Sequence, residues 1–205
     1  MSGRRATALD LYLLFHASAC GGEFDTRLHA KVWARALGFS ESSRHSASVI
    51  SRNWRWLQEA GLVRKVRDRR LLNVTLLRED ASGEDYTHPG KSGNYFKLSH
   101  EYWLGGWQAK LDLPAKAALL ILLSRKPGSD LPQERAPEWY GISADTLGRG
   151  LRTLQDHNLL RTSVLTKQAP LSPLGYSWEQ KYWLLEPFAR KPAGKRTGRR
   201  KRAVA

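Results

Sequence analysis

The chain has a single cysteine, Cys20, so no disulfide can form within its 205 residues. A lone cysteine ending an apolar helix reads as a small packing residue, and the missing second thiol suits a reducing, cytoplasmic setting. No apolar run approaches the roughly 20 residues that a membrane helix needs. The opening MSGRRATALD has no apolar core followed by a small-residue cleavage site. Neither export nor a membrane partner is therefore expected. The six histidines, at 16, 29, 45, 88, 100 and 157, lack the spacing to Cys, Asp or Glu that a zinc site requires. A phosphate-binding glycine loop and a nucleophile elbow are missing too, since Gly148-Arg149-Gly150 falls inside a helical pattern. These absences argue against an enzyme and against any metal or other cofactor.

Acid is also scarce. Nineteen Asp and Glu stand against 34 Lys and Arg, a formal net charge of +15, and such an imbalance favours polyanionic partners. The excess is uneven. Residues 1–80 carry 14 basic and 8 acidic groups, 81–95 carry one and two, 96–187 carry 11 and 9, and 188–205 carry eight and none. With 41% hydrophobic residues and eight Trp, the rest of the chain can bury one large core or two small ones.

Apolar periodicity predicts helices over residues 7–19, 28–37 and from the Ser-rich stretch 40–46 through Ala60, stopped in turn by Gly21-Gly22, Gly38 and Gly61. In the third helix Ala47, Ile50, Trp54 and Leu57 form one buried stripe. Residues 62–66 and 71–77 then read as a hairpin whose tip is Arg67-Asp68-Arg69-Arg70. Residues 80–94 have the Gly, Ser and Asp content of a linker. The second half restarts with an aromatic segment at 95–104 expected to contain a strand. A nearly all-apolar helix from Leu113-Pro114, a short helix at 134–140, a helix ending at His157 and strands at 160–166 and 176–185 follow.

Both halves contain one pattern at an offset of 97 residues. Ser46, Ala47, Ile50, Arg52, Trp54, Arg55 and Leu57 fall on Ser143, Ala144, Leu147, Arg149, Leu151, Arg152 and Leu154, and the match runs on from Leu57–Arg64 to Leu154–Arg161. Each copy is expected to have an N-cap Ser, an apolar stripe, two exposed arginines, a Gly or Asn helix stop and a departing strand. The first copy carries six extra residues, 40–45, in its turn or helix start. This unit resembles the recognition helix and wing of the winged-helix family, over nearly all of residues 7–78 and 95–186. The resemblance implies a mainly α fold with small β-hairpins (α+β). It places one winged-helix domain at 1–79, a linker at 80–94, a second winged-helix domain at 95–188 and a disordered basic tail at 189–205.

A helix-turn-helix reads duplex DNA by laying its second helix in the major groove, where arginine bonds guanine edges and Ser or Thr serve several bases. The resemblance thus nominates Arg44, His45, Ser48, Arg52 and Arg55, with Ser43 and Ser51 on phosphates, and in the second copy Thr146, Arg149, Arg152 and Thr153. Asp145 argues against tight phosphate contact there. Arg64, Lys65, Arg67, Arg69 and Arg70 make the first wing dense enough in charge for phosphate or minor-groove contact. In the second wing Tyr176, Trp178, Tyr182 and Trp183 could stack on bases, though strand alternation favours core packing for them. The implied function is sequence-specific binding of double-stranded DNA in the cytoplasm, at the nucleoid, as a transcriptional regulator. A replication initiator of a plasmid or mobile element is the alternative, and a tandem winged-helix subunit of a chromosome-organising complex a second. Assembly as a homodimer is left open.

The tail, with Lys195, Arg196, Arg199, Arg200, Lys201 and Arg202, has no apolar periodicity and is expected to act as a mobile polycation. Deleting residues 190–205 should weaken DNA binding and flatten its salt dependence by about 0.9 in log–log slope for each phosphate no longer neutralised. Titrations across a salt series check this, and an unchanged slope would refute it.

Overall fold

The computed structural model describes residues 2–19, 24–40, 44–68, 71–90, 95–168, 170–171 and 173–190. The fold is α+β: helices predominate, with small antiparallel sheets. The first half runs α1 (Ser2–Ser18), β1 (Asp25–Arg27), α2 (Ala30–Ala36), α3 (Arg44–Glu59), β2 (Val63–Asp68) and β3 (Leu71–Leu76). Its three strands lie in the order β1-β3-β2, with Val63 opposite Leu76 and Asp25 opposite Thr75. The second half opens with two short helices, α4 (Glu101–Leu104) and α5 (Trp107–Lys110). It continues through α6 (Leu113–Ser124), a 3-10 turn, α7 (Ala136–Tyr140), α8 (Ala144–Asp156), β4 (Leu160–Gln168) and β5 (Tyr176–Leu184). A single bridge from Asp130 to Lys181 stands where the first half has β1.

Each half has its own core. Leu11, Phe15, Trp33, Ile50, Trp54, Leu57, Val63, Val74 and Leu76 form the first, with Phe15, Trp33 and Trp54 meeting edge to face at 5.3–6.1 Å. Ala115, Ala118, Leu119, Leu147, Leu151, Leu154, Leu159 and Tyr182 lead the second. The offset of 97 holds at atomic detail. The helix ends Glu59 and Asp156 correspond, as do the strand starts Val63 and Leu160. Gly61 and Asn158 both take left-handed backbone, at φ 72° and 56°. The next amides close the same turn, Leu62 N–H donating to Leu57 O (3.0 Å) and Leu159 N–H to Leu154 O (2.8 Å).

The aromatic segment departs from expectation: residues 95–104 hold no strand, and Tyr102 sits instead on the helical turn α4, buried. The N-cap serine is also met only once. Ser143 accepts from Thr146 N–H (3.1 Å), whereas Ser46 is buried inside α3, which begins three residues before the position equivalent to the start of α8. Of the proposed linker, residues 80–90 are held against the first half. Leu77 bridges Asp85, Arg78 pairs with Asp80 and Glu84, and Tyr86 packs edge-on against His16 (5.5 Å) and Phe24 (4.9 Å). Burial pushes the His16 imidazole below its ordinary pKa. Cys20 and the tail from 191 onward lie outside the described residues.

The two halves meet along α1. Leu11 and Phe15 enter the first core, while Leu13 packs on the second, as Trp103 does on both. Between them Asp10 accepts from the Tyr102 hydroxyl (2.7 Å) and the Lys116 ammonium (2.7 Å), which also donates to Gln108 O (2.7 Å). All three side chains are buried. Desolvation raises the Asp10 carboxyl above the ordinary carboxylate range, opposed by its bonds to Lys116 and Tyr102.

Removing one member strands the other. Asp10→Ala should cost about 3–5 kcal/mol in chemical denaturation, because Lys116 is left as an unpaired buried cation. The double change Asp10→Leu/Lys116→Met should cost far less. Equal losses for the two variants would contradict the pairing.

Candidate nucleic-acid interface

The buried stripe of α3 fixes what the helix presents outward. Because Ile50, Trp54 and Leu57 face the core, His45, Ser48, Ser51, Arg52, Arg55 and Trp56 share the opposite, exposed face. Arg52 folds back toward the helix N-terminus, its Nε donating to Ser48 O (3.3 Å) and its terminal nitrogen 3.5 Å from His45 Nε2. Ser48 Oγ donates to His45 O (2.8 Å). Three of the nominated residues thus form one cluster on the N-terminal half of α3.

Strand β2 continues that surface. Alternation along it puts Val63, Lys65 and Arg67 on the side facing α3 and Arg64 on the other. Lys65 is half-buried, and its ammonium is pushed below the ordinary lysine pKa by desolvation first and by the neighbouring Arg55 charge second, with Glu59 opposing. Lys65 on the hairpin thus lies near both Arg55 and Glu59 of α3, so the basic residues of helix and hairpin adjoin, with one carboxylate among them. Arg64, nominated with them, instead pairs with Asp85 at 2.6 Å on the far side. Arg67 lies in the strand opposite Leu72 rather than in the tip. Ser43, Arg69, Arg70, the side chain of Arg44, and Lys195, Arg196, Arg199, Arg200, Lys201 and Arg202 lie outside what the structure describes.

The corresponding helix of the second half is differently equipped. Arg149 pairs with Asp145 one turn earlier (3.1 Å). Thr146 is engaged with the Ser143 cap, and Thr153 Oγ1 donates to Arg149 O (3.2 Å). Arg152 lines an open groove of about 420 Å³ between α8 and β5, with Gln133, Asp145, Gln155, Gln180 and Tyr182. Core packing, expected for all four aromatics of this hairpin, holds only near its base, where Tyr182 is buried and Trp183 half-buried; towards the tip the strands leave the core behind. Tyr176 and Trp178 are exposed and meet edge-on at 5.2 Å.

No protein-family model, curated protein or solved structure matches the chain. What the surface can do rests on its own side chains. Among the described residues, no group of three His, Cys, Asp or Glu comes together as metal ligands, and no helix is long and apolar enough to cross a membrane. Together α3 and β2 offer three guanidinium groups, an ammonium, an imidazole and two hydroxyls. That set suits phosphate oxygens and base edges. Two features escaped the sequence: Trp56, 46% exposed beside Arg55, and Asp85, which takes Arg64 out of the cationic face. Helical spacing opposite the core stripe could have flagged Trp56. Asp85 gave no signal, being 21 residues from its partner.

Two glycines set how α8 is seated. A Cβ at Gly150 would fall 2.2 Å from the Pro114 carbonyl oxygen, a backbone atom of α6, whereas one at Gly148 would meet only the flexible Gln133 amide at 2.9 Å. Gly150→Ala should therefore destabilise by about 1–3 kcal/mol or more. Gly148→Ala should be neutral or gain up to about 1 kcal/mol of helix propensity. Denaturant melts of both check the contrast, and a Gly150→Ala protein as stable as the parent would contradict this seating.

Proposed function

We propose that the chain is a sequence-specific double-stranded DNA-binding protein built from two winged-helix units in tandem, acting as a transcriptional regulator at the nucleoid. Each half has the order helix, strand or bridge, helix, helix, hairpin, which supports reading α3 and α8 as recognition helices and β2-β3 and β4-β5 as wings. The observation that carries the reading is the exposed polar and basic face formed by His45, Ser48, Arg52 and Arg55 on α3 with Lys65 and Arg67 on the adjacent hairpin. A helix lying in the major groove would bring Arg52 and Arg55 to base edges and the hairpin to flanking phosphates. The second unit contributes less, since Asp145 neutralises Arg149. Arg152, with the glutamines around it, is its point of contact, and the basic tail adds sequence-independent attraction.

The buried contact between the halves at Asp10 favours a second reading. Two recognition helices held at a fixed spacing suit adjacent sites in repeated arrays, as replication initiators of plasmids or mobile elements use. Footprinting separates the two: repeated sites at an origin support the initiator, and single promoter sites the regulator.

Duplexes selected by the full chain from a randomised pool provide the probe. Arg52→Ala should weaken binding to the selected duplex by about 5- to 150-fold and relax its sequence preference, equivalent to about 1–3 kcal/mol. Arg67→Ala should weaken all duplexes alike and lower the salt slope by about 0.9. If no sequence is enriched and random duplex is not retained at about 100 mM salt, where a cationic face should still hold phosphate, the proposal fails.

A further inference from the structure

The two hairpins differ in their surface chemistry. On β4-β5 the basic residues are all engaged within the hairpin: Arg161 stacks over the Trp183 ring at 5.1 Å, and Lys167 and Lys181 both pair with Glu179. What the hairpin exposes instead is apolar. Val164 is 61% exposed, Leu165 47% and Trp178 59%. An exposed apolar strip is a poor partner for phosphate and a suitable one for another protein surface, and Glu179 offsets part of the charge of the three cations beside it.

The edge of β4 is also open. Strand β4 pairs only with β5 among the described residues. The backbone of Tyr182 turns away from β4, its N–H bonded to Ser129 O (3.3 Å) and its carbonyl accepting from Gly128 N–H (2.8 Å). Antiparallel alternation then directs the backbone groups of Ser163 and Leu165 toward β5 and those of Thr162, Val164 and Thr166 outward. This open segment, Thr162-Ser163-Val164-Leu165-Thr166, carries no charge, proline or bulge, the devices that normally protect a free edge. It is nearly the same read in either direction. Paired antiparallel with itself about Val164, it sets Thr against Thr, Ser against Leu and Val against Val, with every outward donor meeting an acceptor.

We propose that the β4 edge is a self-association surface, on which a second copy of this chain adds its own β4 to form a four-stranded antiparallel sheet with a two-fold axis at Val164. The pairing exchanges backbone hydrogen bonds at residues 162, 164 and 166 and lays the two Val164 side chains together, with Trp178 of each copy on the same face. The interface needs no DNA and stands apart from the function proposed above.

The test uses the full chain with Cys20→Ser. In a hydrogen-bonded antiparallel pair the two residues at 164 stand about 5.5 Å apart between Cα atoms, within disulfide reach, whereas two residues at 166 are separated by about 14 Å along the strands. Under mild oxidant, Val164→Cys should give a covalent dimer and Thr166→Cys, on the same face and edge, should not. Val164→Lys should lose the dimer in sedimentation while its far-ultraviolet circular-dichroism spectrum stays native, because in the single chain that side chain is largely in solvent. Equal cross-linking at 164 and 166, or a parent chain that sediments as a monomer at about 100 μM with and without duplex DNA, would overturn the proposal. So would a Val164→Lys variant that folds and remains dimeric.

Discussion

A carboxylate that cannot reach water decides how the two halves of this molecule stand. Asp10 lies on α1 between two separate cores, and its negative charge is tolerable only because Lys116 and Tyr102 arrive from the other half within 2.7 Å. Desolvation of an isolated carboxylate or ammonium costs several kcal/mol, so a sliding of the halves that parted Asp10 from Lys116 while both stayed buried would be opposed. Apolar packing at the same junction, Leu13 on the second core and Trp103 on both, would by itself tolerate sliding. The ion pair, being directional, selects one arrangement. The relative placement of both candidate recognition helices and both hairpins follows from it.

Within that frame the two copies have kept one scaffold and acquired different surfaces. The scaffold is set by a stripe of three large apolar residues, a left-handed stop and a strand that leaves the helix at the same step, at 50–63 in one copy and 147–160 in the other. Solvent-facing positions are free of those requirements. On the first copy they carry Arg52, Arg55, Lys65 and Arg67. On the second, Asp145 cancels Arg149, and the hairpin presents Val164, Leu165 and Trp178.

Sequence reasoning succeeded where a structural choice is made by neighbours within a few residues. Gly61 and Asn158 end their helices because the left-handed turn closes between positions five apart, and the pattern is visible in either copy alone. The hairpin strands and the Pro114 helix start were legible for the same reason. It failed at residues 95–104, where the aromatic content that resembles a strand ends in a helical turn, 101–104, that delivers Tyr102 to Asp10, 92 residues away. Strand β1 and the docking of residues 77–90 were missed as well, since short segments acquire their form from the surface they lie on.

The candidate site divides along the same line. That Arg52 and Arg55 face outward follows from helical period against the core stripe, and the sequence alone determined it, together with the duplicated unit and its charge. Which cations remain available was decided only by tertiary structure: Arg64 turned to Asp85, Lys65 drawn beside Arg55, and the cations of the second hairpin spent on Trp183 and Glu179. The physical reason is that period fixes direction, whereas the partner that neutralises a charge is chosen by whatever the fold brings within a few ångströms, from any distance along the chain.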